Sequence, residues 1–272
     1  MKINIGYMQG RLLSDNTDKI QNFPDLNWKN ELFIANKIDF KLVEWTINKN
    51  NINKNPLYNN KLDELKRLSK KFKIKINSVT CDYFMEDCFF KKKNYFRKKK
   101  IKSNIKQILN NCNKMGIKYL ILPLVDQSSI KNKKEENILY KYIKNILKNY
   151  TGNTNILFES DFHPSKLFKF IEKFNSKKVG INYDTGNSAS LDFDINDEIE
   201  YFNYVKNIHI KDRLKNGSTV ALGKGNWNYK KFSKAIRKIK YKGSYILQTA
   251  RSKTRNDIEE LIRNRNFLIK IL

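Results

Sequence analysis

Val205-Lys206-Asn207-Ile208-His209-Ile210-Lys211-Asp212-Arg213 alternates apolar residues up to His209 and its neighbour, then crowds ionisable groups at its exit. That is the pattern of a buried strand delivering reactive side chains to one end of a sheet. His209 is one of two histidines in the 272-residue chain, the other being His163. Taken alone, a strand histidine is most often a core residue hydrogen-bonded to a neighbour. Its meaning depends on what the other strand ends carry.

Outward from this stretch, strand-like and helix-like segments alternate. Strands are expected at Lys2 to Met8, Lys41 to Thr46, Ile74 to Thr80, Ile117 to Pro123, Asn155 to Glu159, Val179 to Asp184, Val205 to Ile210 and Ser244 to Gln248. Helices are expected around Trp28 to Asn36, Asn60 to Phe72, Tyr95 to Met115, Lys133 to Tyr150, Pro164 to Phe174, Ile195 to Tyr204, Tyr229 to Lys240 and Thr254 to Ile271. Gly116 ends the third of these where a left-handed cap suits glycine, and Pro164 opens the fifth in a first-turn position. Eight such units imply a parallel sheet of the size of a closed (β/α)8 barrel, an α/β fold, with residues 1–272 as one TIM-barrel domain. A doubly wound open sheet is the alternative. It lacks its glycine-rich phosphate turn, because Gly6 and Gly10 do not make the dinucleotide fingerprint, which also disfavours an oxidoreductase.

Lys and Arg number 55 against 27 Asp and Glu, a net charge of +28. Clustered cations would bind nucleic acid through counterion release, but here lysine is spread over nearly every helical segment. The densest run, Phe89 to Lys102, interleaves Phe and Tyr that suit base stacking or an ordinary buried helix face equally. No nucleic-acid partner is expected. Cys81, Cys88 and Cys112 are three, without metal spacing, which fits reduced thiols in the cytoplasm. No signal segment or membrane span is expected.

A barrel places its chemistry at the C-terminal ends of its strands. At those positions stand Glu44, Glu159, Asp184, His209 and Gln248. Two carboxylates, an imidazole and an amide on adjacent strands five to eight suit a divalent cation such as Mn²⁺, Mg²⁺, Co²⁺ or Zn²⁺. Each has a plainer role as well: Glu159 and Asp184 could cap helices or pair with lysine. Arg11, Lys211, Arg213 and Arg251 follow strand ends on the same rim, and arginine forks suit phosphate and carboxylate. They could equally pair with Asp212, Glu44 and Asp192 to hold loops. Trp45, Trp227 and Tyr183 could face a sugar ring or pack in the core.

Tyr7-Met8-Gln9-Gly10-Arg11-Leu12, Val43-Glu44-Trp45, Asn182-Tyr183-Asp184-Thr185-Gly186-Asn187-Ser188, and His209-Ile210-Lys211-Asp212-Arg213 with Gly223-Lys224-Gly225-Asn226-Trp227 together resemble the xylose-isomerase-like TIM-barrel superfamily of sugar-phosphate isomerases and epimerases. The resemblance covers essentially the whole chain. It implies Glu159, Asp184, His209 and Gln248 as metal ligands, with Glu159 as the base that forms an enediolate. A substrate-binding role is expected for Arg11, Asn187, Asp212, Arg213 and Arg251. Characterised epimerases of the superfamily carry glutamate where this chain has Gln248, and Asn187 stands where some have histidine. Glutamine can lend a metal an oxygen but cannot accept a proton. Metal binding is therefore expected to be weaker, one-base isomerisation is favoured over two-glutamate epimerisation, and Glu44, Asp212 or Lys211 is the candidate second acid/base.

The substrate expected is a phosphorylated, nucleotide-linked or acidic sugar. The alternatives are a non-catalytic or metal-free sugar-binding barrel and, more remotely, a DNA enzyme resembling abasic-site endonucleases, whose histidine-rich three-zinc sites this chain cannot match. By analogy with related barrels, pairing through outer helices would give a homodimer.

Overall fold

Eight parallel strands close into a ring in the computed structural model, which describes residues 3–13, 20–59, 61–254 and 256–272. They are β1 (Asn4–Met8), β2 (Leu42–Thr46), β3 (Lys75–Thr80), β4 (Tyr119–Leu124), β5 (Asn155–Ser160), β6 (Val179–Asp184), β7 (Val205–Ile210) and β8 (Ser244–Leu247). Each pairs with its sequence neighbours, and β1 pairs with β8 in the register Gly6 opposite Ile246 to close the barrel. The expected (β/α)8 barrel is therefore the fold observed. Lys2, Asn60 and Arg255, which fall within or at the edges of expected elements, lie outside the described residues.

The strands form because apolar residues recur at every second position, and the helices because theirs recur every three to four. Val43 and Trp45 of β2 are fully buried against the helical layer, where Trp45 meets Trp28 edge to face with ring centroids 5.7 Å apart. Tyr183 and Trp227 pack in the same layer around Phe232, so all three aromatics that could have faced a sugar belong to the core. Gly116 takes φ +70° after the Tyr95–Lys114 helix, the left-handed cap its position called for.

Inside the ring the apolar filling is small: Met8, Leu42 and Ile246 form their own cluster. Gly6 makes room for it, since a Cβ there would stand 2.7 Å from Leu42 Cγ. Toward the C-terminal ends of the strands the interior turns polar, with Glu44, Ser78, Thr80, Asn182, Asn207 and His209 all buried.

Among the features that differ from the expected elements are a short helix, Asp82–Glu86, after β3 and three that follow β6 and β7. The segment Ile195 to Tyr204 is one α-helical turn followed by a 3₁₀ helix over Ile199–Tyr204. Buried Glu198 accepts a hydrogen bond from Tyr201 Oη at 3.1 Å, and the tighter helix keeps residues three apart in line. A seven-residue helix, Thr185–Leu191, starts directly at the end of β6 because Asp184 Oδ1 accepts from the amides of Gly186 and Asn187 at 2.7 and 2.9 Å. A short ribbon pairs Asp212–Arg213 with Thr219–Val220 above β7. No helix among the described residues is long and apolar enough to cross a membrane.

Candidate functional site

Period-two alternation points Asn182 and Asp184 of β6, and Asn207 and His209 of β7, to the same inner face. The register sets Asp184 beside His209 and Asn182 beside Asn207. Glu159 of β5 and Glu44 of β2 turn inward to the same imidazole, that of His209. Glu159, Asp184 and His209 thereby bring ligand atoms within 4.8 Å of one another, all buried.

His209 is fully buried between two acidic environments. Its Nε2 lies 2.6 Å from Glu44 Oε1, while Nδ1 lies 3.1 Å from Glu159 Oε2 and 3.8 Å from Asp184 Oδ2. Nδ1 is close to these carboxylates yet makes no aligned hydrogen bond. Burial alone would lower the pKa of the imidazole, but Glu44, Asp184 and Glu159 carry it well above its ordinary value. Glu44 in turn accepts from Ser78 Oγ at 2.6 Å, from Thr80 Oγ1 and from Asn207 Nδ2 at 2.8 Å. Burial would raise its pKa, and His209 with these hydroxyls brings it below the ordinary carboxylate value.

Glu159 is oriented by two amides: Asn187 Nδ2 donates to Oε1 at 3.1 Å and Asn182 Nδ2 to Oε2 at 3.0 Å. Asn182 Oδ1 accepts from Asn207, which also reaches Glu44, so both glutamates share one hydrogen-bonded relay. Asp184 divides its oxygens. Oδ1 caps the following helix, and Oδ2 meets Lys211 Nζ at 3.1 Å. Burial would raise the pKa of Asp184, but Lys211 and His209 hold it far below the ordinary range.

Lys211 can lie there because residue 186 is glycine: a Cβ on Gly186 would stand 2.5 Å from Lys211 Cδ. Gly186→Ala should therefore push Lys211 off Asp184 and cost about 1–3 kcal/mol of stability, as overpacking does. Thermal unfolding beside wild type checks this, and an unchanged Tm would refute it.

A cavity of about 470 Å³ opens over this polar layer, lined in part by Glu159, Gln248, Lys211, Arg213 and Asn187. Five expected site residues thus meet at one mouth, with Asp184 and His209 beneath. Gln248 Nε2 donates to Gln21 Oε1, and its buried Oε1 meets no donor among the described residues.

Other expected site residues are placed elsewhere. Arg11 is fully buried, with its guanidinium on Ile20 O, Thr249 Oγ1 and Ala250 O at 3.1, 3.2 and 2.7 Å. Arg251 pairs with Asp257 at 2.7 Å and donates to Gly10 O at 2.6 Å. Asp212 accepts from the amides of Gly223, Gly225 and Trp227 at 2.9, 2.9 and 3.0 Å. These three do not line the cavity; they hold loops together. Glu44 sits below it, fully enclosed by the four donors already named. His163 is on the surface, where Nδ1 meets Ser165 Oγ at 3.0 Å.

Sequence reasoning missed Asn182 and Asn207, although each stands two residues before a ligand position and so shares its face. It also missed Asp82, which lines the cavity beyond the end of β3.

A family model described as xylose isomerase-like TIM barrel matches residues 32–271. The chain belongs to this family. Among solved structures, this xylose isomerase-like barrel superimposes on a xylose isomerase domain protein from Planctomyces limnophilus with TM-score 0.76 at 15% identity, covering 98% of this chain and 96% of that one. D-psicose 3-epimerase from Clostridium cellulolyticum H10, solved with D-tagatose, gives TM-score 0.74 at 14% identity over 99% of both chains. An IolI protein with a bound zinc atom gives 0.76 at 14% identity over 99% of this chain and 98% of that one. At these identities the likeness is one of fold. No curated protein matches the chain by sequence.

The donor set itself fits a divalent cation. It offers two carboxylates, an imidazole nitrogen without an aligned partner and an amide oxygen without a donor. The opposite nitrogen of His209 is held by Glu44, the arrangement that fixes a ligating histidine's tautomer and ring orientation.

Proposed function

We propose that the barrel is a divalent-metal-assisted sugar isomerase or epimerase with Glu159 as the base. The observation that carries this reading is the convergence of Glu159, Asp184 and His209 Nδ1 within 4.8 Å at the floor of a solvent-open cavity. Gln248 Oε1 supplies a fourth donor, the third oxygen of the set. A cation held there would polarise a sugar carbonyl and the neighbouring hydroxyl, acidifying the hydrogen on the carbon between them. Glu159 then takes that hydrogen as a proton, with its carboxylate aimed by Asn182 and Asn187. Asn187 and Arg213, 3.4 Å apart, line the mouth where hydroxyls would be bound.

The charge of the lining bears on the substrate. Asp82, Glu86, Asp126, Glu159 and Asp161 line the cavity against Lys211 and Arg213. Both cations are engaged, Lys211 by Asp184 and Arg213 by Gly217 O at 2.9 Å. With Arg11 and Arg251 committed to loops, this balance favours an uncharged polyhydroxy ketone or aldehyde over the phosphorylated, nucleotide-linked or acidic sugar expected from the rim arginines. A second reading, a barrel that binds sugar without turning it over, draws on Gln248 alone.

Metal per chain, measured after loading with Mn²⁺, tests the site. Near one in wild type and none in His209→Ala is the expected result, and none in either would remove the metal-assisted mechanism. Two carboxylates rather than three, with Lys211 beside one of them, should make the metal easy to strip with a chelator. A ketohexose should raise the Tm of the loaded protein, as any ligand of the folded state must, and more than its phosphate ester does.

A further inference from the structure

A base on one side of a sugar carbon can remove a proton, but inverting that carbon needs a second group to return one from another direction. Gln248 cannot serve, because an amide neither accepts nor donates a proton at neutral pH. The remaining wall of the cavity carries a carboxyl that can. Asp82 follows β3 by two residues, and β3 and β7 stand four places apart in the ring of eight, so Asp82 faces the His209 wall across the mouth. It lines the same cavity as Glu159 while only 4% exposed.

Its partners are unusual for a buried acid. Gln21 Nε2 donates to both oxygens at 2.8 and 2.9 Å, and Asn48 Nδ2 donates to Oδ2 at 3.2 Å. Both are neutral amides, and among the described residues no lysine or arginine pairs with Asp82. Gln21 also accepts from Gln248, so a line of side chains runs Gln248, Gln21, Asp82, Asn48 along the mouth. A purely structural carboxylate this enclosed is ordinarily matched by a cation.

We propose that Asp82 is the second acid/base of this site, exchanging a proton with the face of the sugar turned away from Glu159; this rests on the isomerase or epimerase reading above. Glu159 removes the hydrogen as a proton, and the C–H electron pair becomes the double bond of an enediolate while the carbonyl pair moves onto oxygen. The carboxylic acid of Asp82 then gives its proton to the other face of the same carbon as the carbonyl re-forms. Glu159 ends protonated and Asp82 ionised, and exchange with water in the open cavity restores both. The environment suits this duty: burial, with Glu86 and Glu159 adding to it and the Gln21 hydrogen bonds opposing, pushes the Asp82 carboxyl up to about 7. Both protonation states are then available near neutrality.

The test compares wild type, Asp82→Asn and Glu159→Gln, loaded with Mn²⁺, on D-fructose, D-tagatose and D-allulose in D₂O. Asparagine keeps an oxygen for Gln21, and circular dichroism and Tm report whether the fold survives. If it does not, Asp82→Glu takes its place and should invert more slowly than wild type while still exchanging. In wild type, inversion with deuterium at the inverted carbon is expected. Asp82→Asn should still wash deuterium into the starting epimer through Glu159 but invert about 100-fold more slowly or worse, the worth of one general acid/base. Inversion at the wild-type rate would overturn the assignment, as would loss of exchange and inversion together in a folded variant. If wild type itself exchanges no hydrogen on any of the three sugars, the isomerase reading fails and this role falls with it.

Discussion

Glu159→Gln should lower hydrogen exchange at the sugar carbon by about 10²- to 10⁴-fold, the range expected when a positioned general base is removed. The amide oxygen can still ligate and still accept from Asn182 or Asn187, so metal per chain should fall far less than activity. That split separates a proton-transfer role from a structural one. Proton NMR of a ketohexose in D₂O measures it, and comparable exchange in the variant would mean that another group is the base. Asn182→Ala should reproduce part of the loss, because it frees Glu159 Oε2 from the amide that donates to it at 3.0 Å.

Glu44→Ala should cost about 3–5 kcal/mol, the penalty for stranding one partner of a buried ion pair. Ser78, Thr80, Asn207 and His209 would all lose their acceptor at the centre of the barrel. For a domain of this size the loss corresponds to a fall in Tm on the order of 10 °C. Glu44→Gln should do less harm, since it keeps an acceptor while giving up the charge. A Tm within a degree of wild type in the alanine variant would show that water or repacking replaces the carboxylate.

The same pair sets a pH window for the metal-free protein. The folded pKa of Glu44 lies below its ordinary 4.5, so its contribution is full above 4.5 and is lost as pH falls through the lowered value. The folded pKa of His209 lies above its ordinary 6.5, so its contribution is full below 6.5 and is lost as pH rises through the raised value. The pair therefore stabilises most between about pH 4.5 and 6.5.

The strand ends were legible because a barrel's inner face is written in every second residue: Asp184, His209 and Glu159 could be placed at one rim from alternation and order alone. What the side chains do once there depends on partners far away in the chain. Arg11 looked like an anion fork because arginine after a strand end often is one. Its true environment includes Thr249 and Ala250, which no local pattern reveals. Asp212 is likewise an acid surrounded by backbone amides of a loop up to 15 residues on, a loop-tying role visible only when the turn is folded. Glu44 was read as reactive at a strand end, whereas Ser78, Thr80, Asn207 and His209 enclose it beneath the cavity. Asp82 escaped notice because it lies two residues past its strand, on a helical turn too short to announce itself.

Buried Arg11 and half-buried Arg251 also say something about how the molecule is made. Arg11 reaches across 238 and 239 residues of sequence to Thr249 and Ala250, and Arg251 reaches back 241 to Gly10. These reciprocal clasps sit where the first strand meets the last, the longest loop the chain must close and so among its most entropically demanding steps. On a ribosome, β1 emerges before the other strands of the barrel and has no partner on that side until β8 has been synthesised. Its unpaired edge is exposed for the whole of that time. The clasp can form only when the final turn of the barrel has left the tunnel, which makes ring closure the event that ends the nascent chain's vulnerability to aggregation.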